Sequence, residues 1–176
     1  MRQVLVGLSF LLAFFVISTV SHADDWNDID CGVSKLAVPG FSDLKCQRGP
    51  DKSNMGCVVQ KYFVQSDVGD FILQLNIVGR NCSLSPIEDV ETQVKTFLVQ
   101  SGASGWGPMH DVAGASGAHM TRYGHNCFSF YKPGPSQSGS WGYGVAWHLF
   151  GVYCAAANKN LDDRMVGNFI NSIEIK

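Results

Sequence analysis

Apolar and polar positions along this chain follow two periods. Over residues 56–65 and 70–78 the period is two, and in the second run Phe71, Leu73, Leu75 and Ile77 share one face while Gln74 and Asn76 share the other. Two β-rich runs separated by Ser66-Asp67-Val68-Gly69 predict a hairpin with one packed and one polar face. Ser85-Pro86-Ile87-Glu88 then reads as a capping box with proline in the first helical position. Behind it Ile87, Val90, Val94, Phe97 and Leu98 form a stripe of period 3.6, and Ser101-Gly102 supplies a stop, which predicts a helix over residues 86–100.

From residue 101 onward the pattern returns to period two. Strands are predicted at 110–112, 118–123, 127–131 and 142–155, with 132–140 as a long polar hairpin loop rich in glycine, proline and serine. In the last strand Tyr143, Val145, Trp147 and Leu149 fall on one face. Gly142, Gly144, Ala146 and His148 fall on the other, small enough to admit a closely packed neighbour. Asn160 reads as the cap of a second helix over about 161–171, with Leu161, Met165, Val166, Phe169 and Ile170 as its apolar stripe, followed by a short strand over 172–176. Residues 24–55, punctuated by Pro39-Gly40 and Gly49-Pro50, read as a loop-rich arm with one short strand over 35–38. The expected class is α+β, an antiparallel sheet flanked by two main helices.

That order of elements, ending in Met165-Val166-Gly167-Asn168-Phe169-Ile170-Asn171-Ser172-Ile173-Glu174-Ile175, resembles the PsbP-like fold over about residues 56–176. The resemblance lies in element order alone and carries no residue-level site. It implies an antiparallel sheet sandwiched between helices, and a non-catalytic binding, assembly or chaperone-like role.

Composition narrows the setting. Arg2, the apolar run over residues 4–20 and Ser21-His22-Ala23 have the form of an export signal cleaved after Ala23, leaving 153 of the 176 residues as a single exported domain, periplasmic or secreted. That length suffices for one core. Without Arg2 the net charge is about −3, which argues against nucleic-acid binding, and no membrane span remains after the signal. Six cysteines in an exported chain read as three disulfides. Among the fifteen pairings that six cysteines allow, Cys31 with Cys46, Cys57 with Cys82 and Cys127 with Cys154 is preferred.

The candidate chemistry is sparse. Gly124-His125-Asn126-Cys127 sets a histidine beside a cysteine, so a cysteine/histidine hydrolase of cell-wall peptides would use Cys127 with His125 or His148. In a regular strand His125 and Cys127 share a face at about 7 Å, too far for the usual nucleophile–base bond. The histidines show no i, i+4 pair, and neither a metal nor a cofactor is expected. Trp106 and Trp141, in loops, and Tyr143 are the candidate contact residues of an aromatic, charge-poor stretch. The leading expectation is therefore a non-catalytic module that recognises a protein partner, as an inhibitor or immunity-type protein does, with glycan or peptidoglycan as the other surface it could meet.

Overall fold

Alternating side chains build most of this molecule, and they build more sheet than the helical stripes suggest. The structure, a computed structural model, describes residues 26–54, 56–97, 102–140, 142–157 and 159–176. In chain order the elements are β1 (Asn27–Ile29), a 3-10 turn (Cys31–Val33), β2 (Leu36–Ala37), β3 (Leu44–Arg48), β4 (Lys52–Asn54), β5 (Cys57–Ser66) and β6 (Phe71–Val78). There follow α1 (Val90–Thr96), β7 (Ala103–Ser104), β8 (His110–Val112), β9 (Ala115–Arg122) and β10 (His125–Pro133). The chain ends with β11 (Ser136–Gly139), β12 (Gly142–Val145), β13 (Trp147–Cys154), α2 (Asp163–Ser172) and β14 (Glu174–Ile175).

Ten strands form one antiparallel sheet in the order β1-β3-β5-β6-β13-β10-β9-β7, with β4 also on β5 and β8 also on β9. The expected α+β class is thereby corrected. Among the described residues strand accounts for 50% and helix for 14%, so the fold is mostly β with two short helices. The misreading came partly from residues 24–55, whose short strands β1, β3 and β4 extend the sheet through β5 although none shows sustained alternation. A second cause is the first helix, which begins at Val90 rather than Pro86. Leu84 is drawn into a bridge with Val145, each backbone N–H bonded to the other's carbonyl at 2.9 Å, so the chain remains extended past the supposed cap. Asp89 caps instead, its carboxylate accepting the Thr92 N–H at 2.9 Å. The predicted end of this helix at residues 98–100 lies outside the described residues.

Asp162, not Asn160, caps α2, accepting the Met165 N–H at 2.8 Å. The supposed loop over 132–140 contains strand β11, paired with β12, because Gln137 donates its side-chain amide to the carbonyls of Gly79 and Cys82 and straps this hairpin to the loop after β6. The predicted strand over 142–155 breaks at Ala146. The small face foreseen there receives the chain itself: a Cβ on Gly144 would lie 2.1 Å from the Leu84 carbonyl oxygen.

Both faces of the sheet are packed, unequally. On one face α2 lays Val166, Phe169 and Ile170 onto Val64, Phe71, Leu73, Leu75, Phe128, Phe130 and Leu149. On the other, the shorter α1 covers only part, setting Val94 against Tyr131 and Phe150, while the Ser129 hydroxyl donates to the Val94 carbonyl at 3.2 Å. Three disulfides tie the 3-10 turn to β3 (Cys31–Cys46), β5 to the loop after β6 (Cys57–Cys82) and β10 to β13 (Cys127–Cys154).

Gly151, in the middle of β13, opposes Phe130 on one side and Leu73 on the other. A Cβ there would lie 2.3 Å from the Phe130 ring and 2.6 Å from a Leu73 methyl group. We predict that Gly151→Ala costs about 1–3 kcal/mol of unfolding free energy, the usual cost of overfilling a packed core. A denaturant midpoint equal to that of the parent protein would show that this strand does not carry the contact.

Candidate functional site

The residues singled out from the sequence separate once the chain is folded. Cys127 is cross-linked to Cys154 and no free cysteine is present among the described residues, so the cysteine/histidine hydrolase loses its nucleophile. His125 turns its Nδ1 toward the Ala155 carbonyl at 3.3 Å. His148 lies at the far end of β13 from Cys154, six residues and about 20 Å along the strand. Trp106 is half-buried and packs against two clusters, one of Met120, Val152 and the Cys127–Cys154 bridge and one of Val94, Tyr131 and Phe150. Trp141 lies outside the described residues. Tyr143, on the β11–β12 hairpin, is 90% exposed.

Where α1 stops short, the uncovered sheet leaves a cleft of about 330 Å³. Its floor is Gln74 and Asn76 of β6 with His148 and Phe150 of β13, and its wall is Ile87, Gln93, Thr96 and Phe97. The strand alternation that buries Phe71, Leu73 and Leu75 under α2 sends the two amides to this side. Behind them Tyr131, His148, Phe150 and Phe97 make an aromatic ladder, with successive ring centroids 5.5, 6.4 and 5.7 Å apart. The Tyr131 hydroxyl meets His148 Nδ1 at 2.8 Å in the buried layer. Burial pushes the His148 pKa below the ordinary imidazole value, with a backbone hydrogen bond at Ser85 acting weakly in the opposite sense, and burial raises that of Tyr131. Both therefore stay neutral near pH 7, and no lining group bears a charge. The cleft can take hydrogen bonds at its amides and apolar contact at its rings, and the hydroxyl of Thr96 in its wall donates to the Thr92 carbonyl at 2.8 Å.

A second cluster lies on the α2 side of the sheet. Ala113 and Gly114, with φ of 51° and 74°, form the two-residue turn of the β8–β9 hairpin. This hairpin sets the rings of His110 and His119 together, 5.5 Å between centroids and 21° from parallel. Asp163, in the first turn of α2, places Oδ1 3.1 Å from His110 Nε2 and 2.9 Å from His119 Nε2. The bond to Asp163 raises the His110 pKa, and the two imidazoles hold the Asp163 carboxyl below the usual range. The expectation of no metal-ligating group overlooked this trio because Asp163 lies 53 and 44 positions from the two histidines. The legible signal was local: His110 and His119 flank a turn at a spacing that returns both to one face.

No protein-family model, curated protein or solved structure matches this chain.

The depressed pKa of His148 sets a pH dependence. A group less easily protonated when folded contributes stability that is complete above its unfolded value of about 6.5 and is lost as pH falls toward the folded value. In the presence of chelator, the drop in thermal midpoint between pH 7.5 and pH 5 should be smaller in His148→Gln than in the parent. Equal drops in the two proteins would contradict the buried, neutral assignment.

Proposed function

We propose that this protein is an exported, non-catalytic binding module that takes an extended segment of a partner protein into the cleft beside α1. The observation that carries the reading is the character of that cleft: uncharged amides of Gln74 and Asn76 on its floor and Gln93 on its wall, beside the rings of Phe150 and Phe97. Peptide groups are neutral donors and acceptors that pair with side-chain amides, and apolar side chains match the aromatic wall. A charged metabolite would find no countercharge there. The closure of every described cysteine into a disulfide supports a non-catalytic role and suits an oxidising compartment, periplasmic or extracellular. Among the described residues no helix is long and apolar enough to cross a membrane. The element-order resemblance to the PsbP-like fold implies the same class of role. Tyr143, exposed on the β11–β12 hairpin, remains a candidate contact at a second point of the surface.

A photo-crosslinking residue placed at exposed Thr96, on the cleft wall, should trap an adduct of discrete mass in the native cell envelope. The same residue at Asn168, exposed on α2, should not. Replacing Gln74 and Asn76 together by alanine should abolish the Thr96 adduct. No adduct at Thr96, or one that both positions trap equally, would overturn the assignment.

A further inference from the structure

We propose that His110, His119 and Asp163 form a binding site for one divalent transition-metal ion of the zinc class, clipping the start of α2 to the β8–β9 hairpin. The donor set is two imidazole nitrogens and one carboxylate oxygen, the set such ions prefer; calcium and magnesium take oxygen ligands. One ligand atom from each residue lies within 4.8 Å of the others. In a tetrahedral site with bonds of about 2.0 Å, neighbouring ligand atoms stand about 3.3 Å apart. The two edges that meet at Asp163, 3.1 and 2.9 Å, lie within a few tenths of an ångström of that spacing, and the edge between the imidazoles is no longer than 4.8 Å.

The hydrogen bonds around His110 point the same way. Its Nδ1 faces the Pro108 carbonyl at 3.3 Å, a hydrogen bond in the tautomer that carries the proton on Nδ1. In the neutral ring Nε2 is then an unprotonated acceptor, yet it faces a carboxylate oxygen. Two acceptors in contact require a cation between them, either a second proton or a metal. Backbone carbonyl support of the far nitrogen is also what orients metal-binding histidines generally.

The site is preformed. The fully buried ring of Phe128 presents itself edge-on to both imidazoles, with centroids at 5.4 and 5.1 Å, so neither swings freely. Asp162 performs the capping of α2 and leaves the Asp163 carboxylate available. Side-chain exposures of 34%, 37% and 56% for His110, His119 and Asp163 leave room for water as a fourth ligand. The trio sits on the α2 side of the sheet, away from the cleft beside α1, and does not depend on what that cleft binds.

The test is a calorimetric titration of Zn²⁺ into the exported protein after chelator treatment, repeated for His119→Gln, Asp163→Asn and, as a control, His125→Gln. Saturable binding of one equivalent is expected, with affinity at least about tenfold weaker in the first two variants and unchanged in the third. Binding should also raise the thermal midpoint of the parent. Co²⁺ in place of Zn²⁺ should give the visible absorption of a tetrahedral nitrogen–oxygen site in the parent and the control alone. The metal-free variants should unfold within a few degrees of the parent, since all three side chains lie at the surface. Absence of saturable binding would mean that a proton alone bridges the trio, and undiminished binding in His119→Gln and Asp163→Asn would place the metal elsewhere; either result overturns the site.

Discussion

β13 is the strand on which the rest of the molecule depends. It is hydrogen-bonded along its length to β6 on one side and β10 on the other, and so joins the hairpin near residue 70 to the meander beyond residue 100. Only a residue without a side chain fits at its centre, where Phe130 and Leu73 close over Gly151. Its end at Cys154 is tied covalently to Cys127 across the ladder. Such long-range pairing is costly in chain entropy until it is complete, and each cross-link lowers that cost by roughly 2–4 kcal/mol through its restriction of the unfolded chain.

The two faces of this strand divide the chemistry. Leu149 and Gly151 face α2 and belong to the continuous core, whose rim carries the histidine–aspartate trio against Phe128. His148 and Phe150 face the other way, both buried, with Phe150 packed against Val94 of α1 and the two side chains at the floor of the cleft beside that helix. Before α1 the chain pins Leu84 to Val145, and on the cleft side of β6 the Gln74 side-chain amide donates to Asn76 Oδ1 at 3.3 Å.

Much of this was legible in local pattern. The β5–β6 hairpin follows directly from strict alternation around Ser66–Gly69, and the meander from runs of β-branched and aromatic residues between glycine turns. The disulfide pairing was also foreseeable, because each cysteine bonds to one in an adjacent segment. What was not legible depends on contacts distant in sequence. Ser85 has the local chemistry of a cap, but a strand bridge 61 positions away competes for the neighbouring backbone and wins. Short strands such as β1 and β4 have almost no signature of their own and exist because β3 and β5 present open edges to them. Trp106 reads locally as a loop residue and a candidate contact, and its packing against the clusters around Val94 and the Cys127–Cys154 bridge depends on segments distant in sequence. The ligand trio joins a hairpin to a helix that arrives more than forty residues later, beyond the range of any local spacing rule.

The central claim is that all six cysteines serve as cross-links, so that no thiol is left for chemistry. Peptide mapping by mass spectrometry of the unreduced protein, alkylated under denaturing conditions before digestion, tests it most directly. The account predicts three linked pairs, Cys31 with Cys46, Cys57 with Cys82 and Cys127 with Cys154, and no alkylated cysteine. An alkylated Cys127, or its linkage to any residue but Cys154, would contradict it.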